Sequence, residues 1–148
     1  MAPKARNWVL LASLLMSVSL GIYAYSIWAD RIEYLHWLAF RQVELRNVGW
    51  RFGVYMQTHS NFQPRRVDDL VAAGVLAPGE IRFEDPWRSV LVTRKLAPGA
   101  HFDGVESTMV LVESYSTVRD GCNVLRGDGH VEFVNSESCN SQGVRDGT

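Results

Sequence analysis

The chain has 148 residues, fifteen Lys and Arg against sixteen Asp and Glu, two cysteines and 47% apolar residues. That length allows one domain, or one small domain with an appendage. The near-neutral charge argues against a nucleic-acid binder and the apolar content against a disordered acidic chain. Two cysteines are also too few for a disulfide scaffold or a four-cysteine zinc site.

A mean hydropathy of −0.07 is ordinary for a soluble protein, but the apolar residues are unevenly spread. Residues 8–28 read WVLLASLLMSVSLGIYAYSIW and carry no charge. As a helix, this run would be about 31 Å long, close to the hydrocarbon thickness of a bilayer. Trp8 and Trp28 stand at its two ends, where amphipathic rings favour the membrane–water interface. Lys4 and Arg6 precede the run, while Asp30, Arg31 and Glu33 follow it. The positive flank predicts a cytoplasmic N-terminus and an exported C-terminal bulk. The competing reading is a cleaved signal peptide, for which Ala24-Tyr25-Ser26 resembles a cleavage site. The run is longer than a usual signal core, which favours a retained anchor.

Inside the anchor, Ser13, Ser17 and Gly21 recur every four residues and Ala24 follows. Small residues on one helix face let membrane helices approach closely, so the expected partners are the bilayer and integral membrane helices. The bland reading is that Ser and Gly are common in membrane helices.

No proline interrupts residues 6–63. Tyr34, Leu38, Leu45, Val48, Phe52 and Tyr55 continue one apolar helix face, which Arg41 breaks. Glu33, Glu44, Arg46 and Arg51 lie off that face. Gly49 and Gly53 weaken the helix without stopping it. A helix over residues 6–59 would be roughly 80 Å long.

Residues 60–64 read as a turn, and residues 67–73 as a second helix with Asp68 and Asp69 in its first turn and Gly74 at its stop. Pro78-Gly79 marks another turn. Residues 89–95 and 108–115 are β-branched and apolar, as strands are. Asp128-Gly129 between apolar runs predicts a hairpin over residues 122–134, with Val131 and Phe133 facing inward and His130 and Glu132 outward. The expected fold is α+β: a single N-terminal transmembrane helix continues into a long amphipathic helix packed on an antiparallel sheet of three or four strands. The domains are an anchor over residues 1–29, an exported domain over 30–134 and a loosely ordered tail over 135–148.

Little in the sequence offers chemistry. Asp128, His130 and Glu132 lie close together, and His130 and Glu132 share a strand face. Two ligands from one strand do not define a metal site, and a solvated hairpin face explains them. Arg126-Gly127-Asp128 spells an adhesive tripeptide, but the turn accounts for it. No nucleophile elbow or Gly-rich phosphate loop is present. No enzyme activity, cofactor, small-molecule substrate or nucleic-acid partner is expected.

Three stretches carry a resemblance: VGWRFGVYMQTHSNFQPRRVDDLVAAGVL, Asp85-Pro86-Trp87, and NVLRGDGHVEFV. Their order resembles the bacterial type IV pilin-like proteins, in particular the major pseudopilin of type II secretion. The resemblance implies a pilin-like fold, a bacterial inner membrane and a periplasmic domain. The chain departs from that family in three places, one of them Val118, where some relatives carry a His ten residues before the hairpin Asp. Family members carry Gly-Phe-Thr-Leu-x-Glu at a processed N-terminus, whereas no acid precedes Asp30 here, and Arg88 stands where the family usually has Gly. The expected function is a structural or accessory subunit of a larger membrane complex of secretory, respiratory or photosynthetic type. The alternative is a pseudopilin or minor pilin of a type II secretion or type IV pilus machine.

Cys122 and Cys139 are seventeen residues apart on the exported side, where a disulfide is expected; free thiols or metal ligation lack supporting partners. Closing that loop is worth roughly 3 kcal/mol in the chain-entropy model. Urea unfolding with and without reductant measures it: reduction should lower the unfolding free energy by about that amount.

Overall fold

The computed structural model describes residues 3–59, 62–97, 100, 108–116 and 121–141. One helix, α1, runs over Pro3–Thr58, and the chain divides into two compact units, Met1–Leu38 and Ala39–Thr148.

In the first unit every side chain from Leu11 to Trp28 is exposed, including Leu14, Met16, Leu20, Ile22 and Ile27. That much apolar surface is far larger than a water-soluble surface tolerates, and α1 is long and apolar enough to cross a membrane. Two of its serines suit a hydrocarbon setting. Ser17 Oγ donates to the Ser13 carbonyl at 3.0 Å and Ser26 Oγ to the Tyr23 carbonyl at 2.8 Å. The hydroxyls are thereby satisfied within the helix, as a solvent without hydrogen bonds demands.

The second unit begins with the rest of α1 and continues through a short helix, α2 (Val67–Ala72). The Asp69 carboxylate accepts the Arg65 and Arg66 N–H groups at 2.7 and 2.9 Å, which fixes the start of α2. Gly74, at φ +72°, ends it: the Val75 and Leu76 N–H groups both return to the Leu70 carbonyl, a left-handed stop that favours glycine. After a 3-10 turn at Pro78–Glu80, five strands follow: β1 (Arg82–Asp85), β2 (Val90–Leu96), β3 (Met109–Tyr115), β4 (Gly121–Arg126) and β5 (Val131–Asn135). They form one antiparallel sheet in the order β1-β2-β3-β4-β5. The fold is α+β, with five strands rather than three or four.

The additional strand is β1. Its sequence, Arg-Phe-Glu-Asp, has one apolar residue and no alternating run to mark it. Pairing with β2, from Arg82 opposite Thr93 to Asp85 opposite Val90, makes it a strand. A short helix, α3 (Ser136–Ser141), opens the segment whose composition suggests loose order. The Asn135 side-chain carbonyl accepts the Ser138 N–H at 2.9 Å and caps it. Cys122 and Cys139, with Cα atoms 6.3 Å apart, form a disulfide that ties α3 to β4.

The core lies where α1 crosses the sheet. Leu45, Val48 and Phe52 bury against Val110, Leu111 and Leu125, and Leu70, Val75 and Leu76 close one end. On the other face, Val112, Cys122 and Val124 pack with Met109, Val134 and Cys139. Helix and sheet approach closely at Gly49, where a Cβ would stand 2.6 Å from Leu125 Cδ1. Gly121 is tighter still, since a Cβ there would strike the Val134 carbonyl oxygen and the Phe133 ring, whereas Gly53 has nothing within 4 Å.

These surroundings set opposite signs for one substitution. Gly121→Ala should cost about 2 kcal/mol or more, because backbone must move. Gly53→Ala should stabilise by roughly 0.5–1 kcal/mol through helix propensity. Chemical denaturation of the two variants beside wild type reads both signs.

Candidate functional site: a buried ion network under the helix

Arg41 does not interrupt the buried face of α1; it belongs to it. The residue is 3% exposed and sits one turn before Leu45. Its side chain points at the sheet, where β2, β3 and β4 present a row of polar groups. Register makes that row: Arg94 stands opposite Glu113 and Glu113 opposite Asn123. All three are buried.

Glu113 is the centre. Arg41 Nε donates to Glu113 Oε1 at 3.0 Å and Arg41 Nη2 to Oε2 at 2.8 Å, a two-pronged grip. Arg94 Nε donates to Oε2 at 2.8 Å. The Tyr115 hydroxyl donates to Oε1 at 2.8 Å and receives Asn123 Nδ2. Arg41 Nη1 also approaches Asp85 Oδ2 at 3.5 Å. Two guanidiniums thus face two carboxylates, a balance that a low-dielectric interior requires. The Phe83 ring lies against both cations, with guanidinium carbons 4.9 Å (Arg41) and 5.2 Å (Arg94) from its centroid, a favourable cation–π arrangement.

Asp85 has a second task. Its Oδ1 accepts the Trp87 N–H at 2.9 Å and the Arg88 N–H at 3.3 Å, and its carbonyl accepts the Ser89 N–H at 2.8 Å. The Asp85-Pro86-Trp87 turn is therefore built on an aspartate that also faces Arg41. The left-handed residue of this turn is Ser89, at φ +50°, not Arg88.

At the network's edge, Arg51 holds Glu80 with two bonds of 3.1 and 2.7 Å, and Arg94 Nη1 donates to the Glu80 carbonyl at 3.2 Å. The Arg51 guanidinium, helped by the Ala77 N–H, holds the Glu80 carboxyl below its usual range. Burial, reinforced by the Glu113 charge, pushes the Tyr115 hydroxyl far above the ordinary phenol range. Tyr115 therefore stays protonated and donates.

With Arg41, Asp85, Arg94, Glu113 and Asn123 all buried, the network has one physical capacity: it locks α1, β1, β2, β3 and β4 in a single register. An open groove of about 370 Å³ lies elsewhere, lined by Tyr55, Phe62, Gln63, Asp69, Ala72 and Ala73.

The residues singled out from the sequence fall in three places. Ser13, Ser17, Gly21 and Ala24 are all exposed on α1, and a Cβ at Gly21 would meet nothing within 4 Å. Trp8 and Trp28 are exposed as well, whereas the side chains of Lys4 and Arg6 lie outside the described residues. In the hairpin, His130 Nδ1 lies 2.6 Å from Asp128 Oδ1, and Arg126 binds Glu132. Among the described residues, no three His, Cys, Asp or Glu side chains gather as metal ligands. Sequence reasoning missed the ion network, although a signal was present: Arg41, Arg94 and Glu113 each occupy inward positions of otherwise apolar patterns.

Glu113→Gln removes the charge that both arginines share, and should cost about 3–5 kcal/mol by leaving buried cations unpaired. Thermal or urea unfolding measures it. Acid dependence reports on Glu80: its folded pKa lies below the unfolded value near 4.3, so its stabilisation is present above that pH and is lost as pH falls through the folded value. Glu80→Gln should therefore flatten the decline in stability below about pH 4, as followed by urea midpoints across pH. Comparison with protein-family models, with curated proteins and with solved structures returns no match to this chain.

Proposed function

We propose that the chain is a non-enzymatic, single-pass protein of the bacterial inner membrane, with its N-terminus cytoplasmic and its domain periplasmic. In this reading the pilin-like domain is a structural or accessory subunit of a larger membrane complex, of secretory, respiratory or photosynthetic type. The observation that carries the reading is the uncharged run over residues 8–28, whose side chains from Leu11 to Trp28 are all exposed. Such a surface requires lipid or other membrane helices around it. Ser13, Ser17, Gly21 and Ala24 provide the face for a neighbouring integral helix, while Trp8, Trp28, Lys4 and Arg6 set the depth in the bilayer. Within the domain, the buried ionisable groups are spent on one another, which suits a rigid module that holds a position. No cofactor, metal, small-molecule substrate or nucleic acid enters this reading.

A second reading, a pseudopilin or minor pilin, is favoured by a helix laid on an antiparallel sheet and by the Asp85-Pro86-Trp87 turn. N-terminal sequencing separates the two: an intact Met1 or Ala2 supports the accessory subunit, and a processed, methylated residue supports the fibre subunit.

Extraction in mild detergent followed by native mass measurement should show the chain in stoichiometric association with an integral membrane partner. Monomer alone under the gentlest conditions would overturn the subunit reading.

A further inference from the structure

The solvent face of α1 in the second unit is not the polar face of an ordinary surface helix. Phe40, Val43, Trp50 and Val54 are 46%, 54%, 72% and 43% exposed. Asn47, also exposed, completes the series. The intervals are three, four, three and four, the 3.5-residue repeat of a helix–helix seam. This face lies opposite the buried one, since Arg41, Leu45, Val48 and Phe52 point at the core. The Trp87 ring packs edge-on to Phe40 at 6.1 Å and widens the patch. A lone Asn among apolar seam positions lowers stability but fixes register and partner number, which is a property of interfaces, not of free surfaces.

A second copy fits this seam poorly. Parallel self-pairing would set Trp50 on Trp50 and Phe40 on Phe40, overfilling two layers. It would also bring Arg46 of each chain to Arg51 of the other, five residues on, where coiled coils place their charge pairs. Arg51 is already held by Glu80, so Arg46 would gain no counter-charge. Antiparallel self-pairing would match Glu44 with Arg51, which Glu80 already holds, and would again leave Arg46 without a counter-charge.

We propose that this seam docks, in parallel, an amphipathic helix of a different membrane-anchored chain. The partner helix bears small apolar residues opposite Phe40 and Trp50, a polar residue opposite Asn47 and a carboxylate opposite Arg46. This docking rests on the subunit reading above and specifies the partner's chemistry.

The test uses the full chain in detergent and two labelled synthetic three-heptad helices. Both have an Ala/Leu seam with one central Asn; one carries Glu at the positions facing Arg46, the other Lys. Fluorescence anisotropy should show the Glu helix binding about tenfold tighter than the Lys helix. Arg46→Glu should reverse that preference, and Trp50→Ala should weaken both helices about tenfold. Circular dichroism melts of these exposed-site variants should match wild type. Equal binding of the two helices, no binding, or indifference to Trp50→Ala overturns the proposal. So does efficient self-crosslinking of Val43→Cys in native membranes, which would place a second copy on the face. Native mass measurement separates the two levels. A partner retained equally by wild type and Arg46→Glu leaves the subunit reading standing and removes the docking face. A wild type that extracts alone yet selects the Glu helix does the reverse.

Discussion

Glu113 stands fully buried on the central strand of the sheet, and the second unit is arranged around the need to neutralise it. An isolated carboxylate in that position would cost more than the domain could sustain. Arg41 reaches it from the helix, Arg94 from the neighbouring strand, and Tyr115 from two residues further along its own strand. Each partner carries positional information. A helix rotated by one residue would lose the two-pronged grip of Arg41, and a one-residue slip of β2 against β3 would turn Arg94 to the other face. Apolar packing alone tolerates many near-equivalent arrangements, so the ion network supplies uniqueness where the core supplies the bulk of the burial.

Its influence extends to the turn that resembles the pilin-like pattern. Asp85 accepts two backbone N–H groups of the turn with one oxygen and faces Arg41 with the other. Local turn chemistry and long-range charge pairing therefore demand the same residue. Phe83, two residues earlier, packs its ring under both guanidiniums. The unpromising tetrapeptide of β1 is held in place by what its side chains meet, not by what its own sequence prefers.

One helix carries two kinds of surface. From Leu11 to Trp28 it is uncharged all round, with the Ser17 and Ser26 hydroxyls returned to its own carbonyls. Beyond Ala39 it has two distinct stripes: a buried face with Arg41 in register, and an exposed seam with Asn47 at its centre. Both stripes contain a polar residue, and in each the physical role is specification. Arg41 selects how the helix meets the sheet. In the docking proposed above, Asn47 selects how the helix meets its partner.

The sequence by itself determined the elements whose signals are local. The uncharged run, the turn at Asp128-Gly129, the glycine stop of α2 and the apolar strands all follow from length, backbone preference and periodicity, which neighbouring residues carry. The tertiary structure alone decided β1, α3 and the ion network. Arg-Phe-Glu-Asp becomes a strand only when β2 offers its edge, and the segment after Asn135 takes a helical turn beside a disulfide to β4. Arg41 reads as a defect along the chain because periodicity ranks residues by polarity. It becomes the most informative residue of the helix once Glu113, seventy-two positions away, is brought within 2.8 Å. A charge can be buried only if its counter-charge arrives with it, and where that partner comes from is not a local property.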